Sequence, residues 1–341
     1  MHKKIFTRCL KLAMVIFCLT ANADETFTSK FQHRIELDAE EYLQQFNNDS
    51  SALITCRGGI FNFYDLNTGI KNNSIVPEKG HECVTVSRDS KLLATVKVII
   101  NDPTAKYGHD TIFHLWDVTG STPKLLHKFK TKDGGGGEFS PDNRWFVNYG
   151  PESSFAQIWD VSNGNLVRKI DIHQGRIESI SFSSDSKLFV ISGEGVTQLW
   201  QTDQWKRLKQ TLPRSSKVLL SPDGKYLASS EFTINKIRLN VWDIQNSKWH
   251  WSKPVDNCQD ISTFNFSKSG KLLAYTGEKA TYLYSVDTGK KLHTYPQEAH
   301  EIAFSPDGKH FALTASEGKS GYNYKHVIYL YASPEGSAVF E

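Results

Sequence analysis

The sequence predicts an all-β fold: a single seven-bladed β-propeller of four-stranded antiparallel blades, closed by an N-terminal strand. Three observations carry this reading. A Ser-Pro-Asp-Gly-like turn recurs seven times, at residues 47–50, 87–90, 140–143, 183–186, 221–224, 267–270 and 305–308. From Asp49 to Asp307 the turns advance by 43 residues on average, the repeat length of a four-stranded blade. Between the turns lie runs that are apolar on both faces, such as Leu92-Leu93-Ala94, Trp145-Phe146-Val147 and Leu188-Phe189-Val190-Ile191. A strand wetted on one side would alternate, so these runs belong to sheets covered on both sides, as when blades stack around a ring.

The first 23 residues stand apart from this pattern. Lys3, Lys4, Arg8 and Lys11 give a basic start, residues 12–19 are apolar, and Ala21-Asn22-Ala23 has the small-x-small form of a cleavage site. That is the layout of a secretory signal peptide, and the apolar run is far short of the roughly 20 residues a membrane span needs. The expected organisation is a signal peptide over 1–23 and one propeller over 24–341. The product would be exported, periplasmic or secreted, with no membrane span after cleavage. Four of the 40 Lys and Arg and none of the 37 Asp and Glu fall in the leader, leaving 36 against 37 and a net charge of −1. A near-neutral chain offers no case for nucleic acid, whose binding rests on dense phosphate neutralisation.

Residues 27–37 alternate, with Phe27, Phe31, Ile35 and Leu37 on one face and polar residues on the other. This half-solvated strand precedes the first repeat, so it is expected to pair with the last blade and close the ring; residues 337–340 are a second candidate. Within each repeat an inner strand enters the turn and two more strands follow. The fourth repeat illustrates the set, with its last strand expected over 205–212. The turns place Gly224, Gly270 and Gly308 where φ is positive, and Asn143 also suits it. Ser90 and Ser186 do so less readily, which predicts looser turns there. A recurring aromatic ends the third strand (Tyr64, Trp116, Trp159, Trp200, Trp242, Tyr284, Tyr331) and reads as a wedge between blades. Gly134 to Gly137 fall in the inner strand of the third blade, where Gly137 replaces the apolar residue of the other repeats. Glycine weakens strands, so this one is read as degraded. Cys56, Cys83 and Cys258 are too few for a disulfide framework. They read as small core side chains, with a Cys56–Cys83 bridge between adjacent blades left open.

Trp116-Asp117, Trp159-Asp160 and Trp242-Asp243, with Tyr64-Asp65 as a near variant, give the chain a resemblance to the WD-repeat β-propeller family, of an exported, bacterial type. Repetition over about residues 27–341 carries the resemblance more than any single motif. It implies a blade-stabilising set in which a His before the first strand is tied through Ser or Thr to the strand-three Trp. The fourth repeat matches it with His173, Ser192, Glu194 and Trp200, whereas His81 and His300 lie too close to their strands. It also implies a rigid platform that binds proteins or peptides.

Three repeats carry long connections between their second and third strands: residues 101–109, 317–326 and a shorter stretch around 232–236. The first two should rise on either side of blade one, bringing Tyr107, His109, Tyr322, Tyr324 and His326 to a shared rim. Loops carry function more often than scaffold, and Tyr is a favoured interface anchor. Nothing in the sequence marks chemistry. No Cys or His pair has metal-ligand spacing, His109 with His114 included, so no metal, cofactor or catalytic residue is expected. The reading is a non-enzymatic exported protein-interaction platform for a protein or peptide partner. The alternative is a hydrolase or lactonase-like propeller enzyme acting on a small molecule over the central channel.

Overall fold

A computed structural model describes residues 30–38, 40–100, 110–132, 135–150, 153–173, 175–193, 196–210, 212–213, 215, 217–233, 236–255, 263–277, 279–318 and 325–336. The leader and residues 337–340 lie outside them. Seven four-stranded antiparallel sheets follow one another along the chain. Their inner strands are Tyr42–Phe46, Glu82–Val86, Gly136–Phe139, Ser179–Phe182, Lys217–Leu220, Phe264–Phe266 and Ala299–Phe304. Among the described residues the only helical piece is a 3-10 turn at Pro334–Gly336, and no helix is long and apolar enough to cross a membrane.

Ring closure follows the expectation. Phe31–Glu36 is the outermost strand of blade seven, antiparallel to Lys325–Ala332, with Ile35 opposite Ile328. Ile35 and Leu37 are buried, but Phe31 is half exposed, contrary to the alternation. The register shifts between Phe31 and His33, which turns Phe31 outward against the edge of Tyr331.

The core is a set of seven clusters, one at each junction between neighbouring blades. Each recurring aromatic packs at the junction with the preceding blade, as with Trp116 beside Ile54, Phe61 and Leu93, and Tyr64 beside Leu330. Cys56 and Cys83 form a disulfide across the junction of blades one and two, with Cα atoms 6.4 Å apart. The fourth blade's outer strand is only Lys206–Arg207. Trp205, expected to start a longer strand, instead turns inward at φ 49° among Trp145, Phe182 and Phe189.

The turns are alike, and the two serine turns are no looser than the glycine ones. Ser50, Ser90, Asn143 and Ser186 all sit at φ near 60°. Ser186 N–H donates to Ser183 O at 2.9 Å, much as Gly224 N–H does to Ser221 O at 2.8 Å. The Ser186 and Ser50 hydroxyls also accept the backbone N–H of Asp142 and Asp307 in neighbouring turns, at 2.9 and 3.0 Å. These bonds offset the strain of a left-handed serine.

The glycine strand is not simply degraded. A Cβ on Gly136 would stand 2.8 Å from the Tyr149 ring, and one on Gly137 would stand 2.7 Å from Phe146. Two large rings from the next strand fill the space that side chains fill in other blades.

Candidate functional site

Inner strands end in the Ser-Pro-Asp-Gly turns on one face of the ring. The connections between second and third strands, and those between blades, lie on the other. On this second face the hairpin ends of blades two and seven stand on either side of blade one. In blade two, strands Leu92–Ile99 and Asp110–Asp117 pair out to Ile99 and Asp110, below residues 101–109. In blade seven, His310–Glu317 and Lys325–Ala332 pair out to Glu317 and Lys325, below residues 319–324. Tyr107, His109, Tyr322 and Tyr324 lie outside the described residues. His326 lies in a strand rather than a loop, paired with Ser316. Of the shorter stretch at 232–236, Phe232 pairs with Ile237 and Thr233 with Lys236, so these residues extend the two strands.

At the foot of the blade-seven hairpin is a small cleft of about 140 Å³ lined by Glu40, Glu41, Tyr42, His300, Glu301, Thr314 and His326. His300 Nε2 meets the Ser316 hydroxyl at 2.9 Å, and that hydroxyl lies 3.5 Å from His326 Nδ1. Glu301 accepts the Leu43 N–H at 3.0 Å and the Thr314 hydroxyl at 2.7 Å, which fastens blade seven to the inner strand of blade one. Burial raises its carboxyl despite these bonds. Burial, with Glu82 and Glu301 nearby, pushes the Tyr42 phenol to about 12. Glu36 binds Lys325 at 2.5 Å and Arg34 binds Glu317 at 2.6 Å on the outer side of this hairpin. Both are exposed pairs that orient more than they stabilise.

In the wall of the cleft, Glu41 is buried and fully engaged. One carboxylate oxygen accepts the Thr55 hydroxyl and the Asn62 amide (2.8 Å); the other accepts the Tyr64 hydroxyl (2.9 Å) and the Asp38 N–H (3.1 Å). A buried carboxylate without such donors would cost several kcal/mol, so the four bonds are the condition of its burial. Blade two repeats the arrangement with different chemistry. His81 Nδ1 meets the Thr95 hydroxyl at 3.0 Å, and Trp116 Nε1 donates to the same hydroxyl at 2.9 Å.

The set expected in blade four is therefore corrected. His173 is exposed in a turn, where its N–H donates to Asp171 at 2.7 Å. Trp200 Nε1 donates to Gln198 at 3.2 Å; Ser192 is buried; Glu194 lies outside the described residues. His173 has φ 63°, which carries its ring away from the blade. His81, set aside as too close to its strand, reaches Thr95 because the register shifts between Cys83 and Thr85. One signal was present in the sequence: Glu41 precedes Thr55, and His81 precedes Thr95, by the same 14 positions. Glu41, His81, His114 and Glu301 are the residues the sequence reading missed.

The channel holds a cavity of about 570 Å³ on the face of the turns. Inner-strand residues such as Gln45, Glu138 and Ser179 line it with turn residues such as Arg88, Pro141 and Lys268. Desolvation pushes the Glu138 carboxyl up to about 8.

Residues 164–201 match the family described as WD domain, G-beta repeat, a stretch that ends with the third strand of blade four. The chain is similar to pre-mRNA-processing factor 19 homolog 2 of Arabidopsis thaliana, 27% identical over 47% of this chain and 30% of that protein. It is similar to the transcriptional corepressor LEUNIG_HOMOLOG of the same plant, 22% identical over 80% of this chain and 34% of that protein. Eukaryotic translation initiation factor 3 subunit I of Meyerozyma guilliermondii is 24% identical over 49% of this chain and 55% of that protein. The matched stretch thus spans about a third to half of these relatives' own length.

Proposed function

We propose that this chain is an exported, non-enzymatic platform that binds a protein or peptide partner on the rim above blade one. The observation that carries the reading is the placement of the two extended hairpins of blades two and seven on either side of that blade. Tyr107 and His109 belong to one connection and Tyr322 and Tyr324 to the other, with His326 in the strand that follows it and His300 and Glu301 at its foot. Aromatic rings with polar tips anchor partners at little conformational cost. The similarity to WD-repeat proteins supports a scaffold role. A disulfide between two buried cysteines supports export, because such bonds persist in oxidising compartments.

The test is capture of partners from the source cell's envelope or culture fraction by the chain from residue 24 onward, against a Tyr322→Ala/Tyr324→Ala variant. The variant should lose the partner while keeping its melting temperature. Undiminished capture would remove this rim from consideration. One observation favours the alternative of a small-molecule enzyme: Glu138, a carboxyl that stays protonated near neutral pH, borders the channel cavity.

A further inference from the structure

Blade two holds three side chains that neither its packing nor the partner rim requires in combination. Glu78 comes from the connection between blades one and two, His81 from just before the inner strand, and His114 from the third strand. Both imidazoles are buried, while Glu78 reaches them from an exposed position. Their ring centres are 4.3 Å apart, and His81 Nε2 is 3.6 Å from a Glu78 oxygen. One ligand atom from each of the three lies within 4.8 Å of the others.

From these positions we infer that Glu78, His81 and His114 form a zinc site with a fourth, open position taken by water.

The orientation of the rings argues for this beyond proximity. Each imidazole already has its Nδ1 engaged: His81 with the Thr95 hydroxyl at 3.0 Å, His114 with the Ile112 carbonyl at 3.2 Å. An Nδ1–H held by a protein acceptor leaves the Nε2 lone pair to a metal, the usual outer arrangement of zinc-bound histidine. The Thr95 oxygen has two lone pairs, so it can accept from both His81 Nδ1 and Trp116 Nε1. Trp116 stacks on His114 at 5.9 Å and 15°, which fixes that ring.

The donor set suits the ion as well. Two imidazoles and a carboxylate match zinc, which takes nitrogen and oxygen at roughly 2.0–2.2 Å in tetrahedral sites with one open position. Ligand atoms in such a site stand about 3.4 Å apart. His81 Nε2 and the Glu78 oxygen are already at 3.6 Å, and no two of the three ligand atoms are more than 4.8 Å apart, so a small closure onto the ion completes the site. Lys128 lies near both rings and Lys97 near His81, and these cations oppose a dication, which favours modest affinity over a locked structural site. Sequence spacing hides the site, because strand pairing alone brings residue 114 beside residue 81.

The experiment is a calorimetric titration of Zn²⁺ into the tag-free chain, with Co²⁺ absorption reporting coordination geometry. One zinc should bind per chain, with the intense visible bands of four-coordinate cobalt. Glu78→Gln and His114→Gln should each weaken binding at least tenfold. Glu78→Gln alters an exposed side chain and keeps the fold, so it decides the matter even if His114→Gln does not fold. Failure of zinc to saturate at one site, or affinity unchanged in Glu78→Gln, overturns the assignment. Neither result bears on the Tyr322 and Tyr324 test.

Discussion

Reducing the Cys56–Cys83 disulfide should lower the melting temperature by about 6 °C. The bond joins residues 27 positions apart, across the first junction of the ring. Closing a loop of that length removes roughly 12 cal/mol/K from the unfolded chain, or about 3.6 kcal/mol at 25 °C. Unfolding a domain of roughly 300 residues carries an entropy near 0.6 kcal/mol/K, which converts that loss into about 6 °C. The Cα separation of 6.4 Å falls in the ordinary range for a disulfide, and both sulfurs sit among Ile54, Phe61 and Trp116. Reduction therefore returns two small apolar thiols to the same packing, and the effect resides in the unfolded state. Scanning calorimetry of the chain from residue 24, with and without reductant, measures it. Thiol titration in denaturant should find one reactive group before reduction, from Cys258, and three after. Three groups before reduction, or coincident melts, would refute the reasoning.

Two other outcomes follow from the third blade. Gly137→Val restores the residue type of the other inner strands, yet the new Cβ would meet the Phe146 ring at 2.7 Å and the Val147 carbonyl at 3.1 Å. Urea unfolding should show a loss of about 1–3 kcal/mol from overpacking, and a gain would contradict the filled-space account. Glu138 has a folded-state carboxyl raised from 4.5 to about 8 by desolvation. Stability from its protonated form is complete below pH 4.5 and is lost as pH rises through about 8. Wild type should therefore weaken between those limits relative to Glu138→Gln, and parallel stability curves from pH 5 to 9 would speak against it.

The ring was legible because its signals are local and repeated. Seven turns with a fixed positive-φ position, and runs such as Leu188 to Ile191 that are apolar on both faces, leave few other folds. The closing strand was legible from Ile35 and Leu37, but Phe31 was misplaced because a register shift is a property of two strands together. The same limit explains His81 and His173. Their distances from the strand were read along the chain, while a bulge at Cys83 and a left-handed backbone at His173 decided where each ring went. Of the candidate rim, sequence located the two hairpins. It could not find Glu41, Glu301 or His114, whose surroundings exist only after strands from different repeats meet. Gly137 was misread for the mirror reason: the ring that fills its place, Phe146, belongs to the next strand.

The seventh sheet is completed by a ribbon from the opposite end of the chain, Phe31–Glu36 against Lys325–Ala332. Nothing in that ladder distinguishes a molecule's own ribbon from a neighbour's, since every copy carries the same pair. What selects the intramolecular partner is the short link from Glu36 to Tyr42, which tethers the ribbon beside its edge at a local concentration in the millimolar range. Dilute molecules therefore close on themselves, and exchange between copies becomes competitive only when the solution is about as crowded as the tether makes the edge.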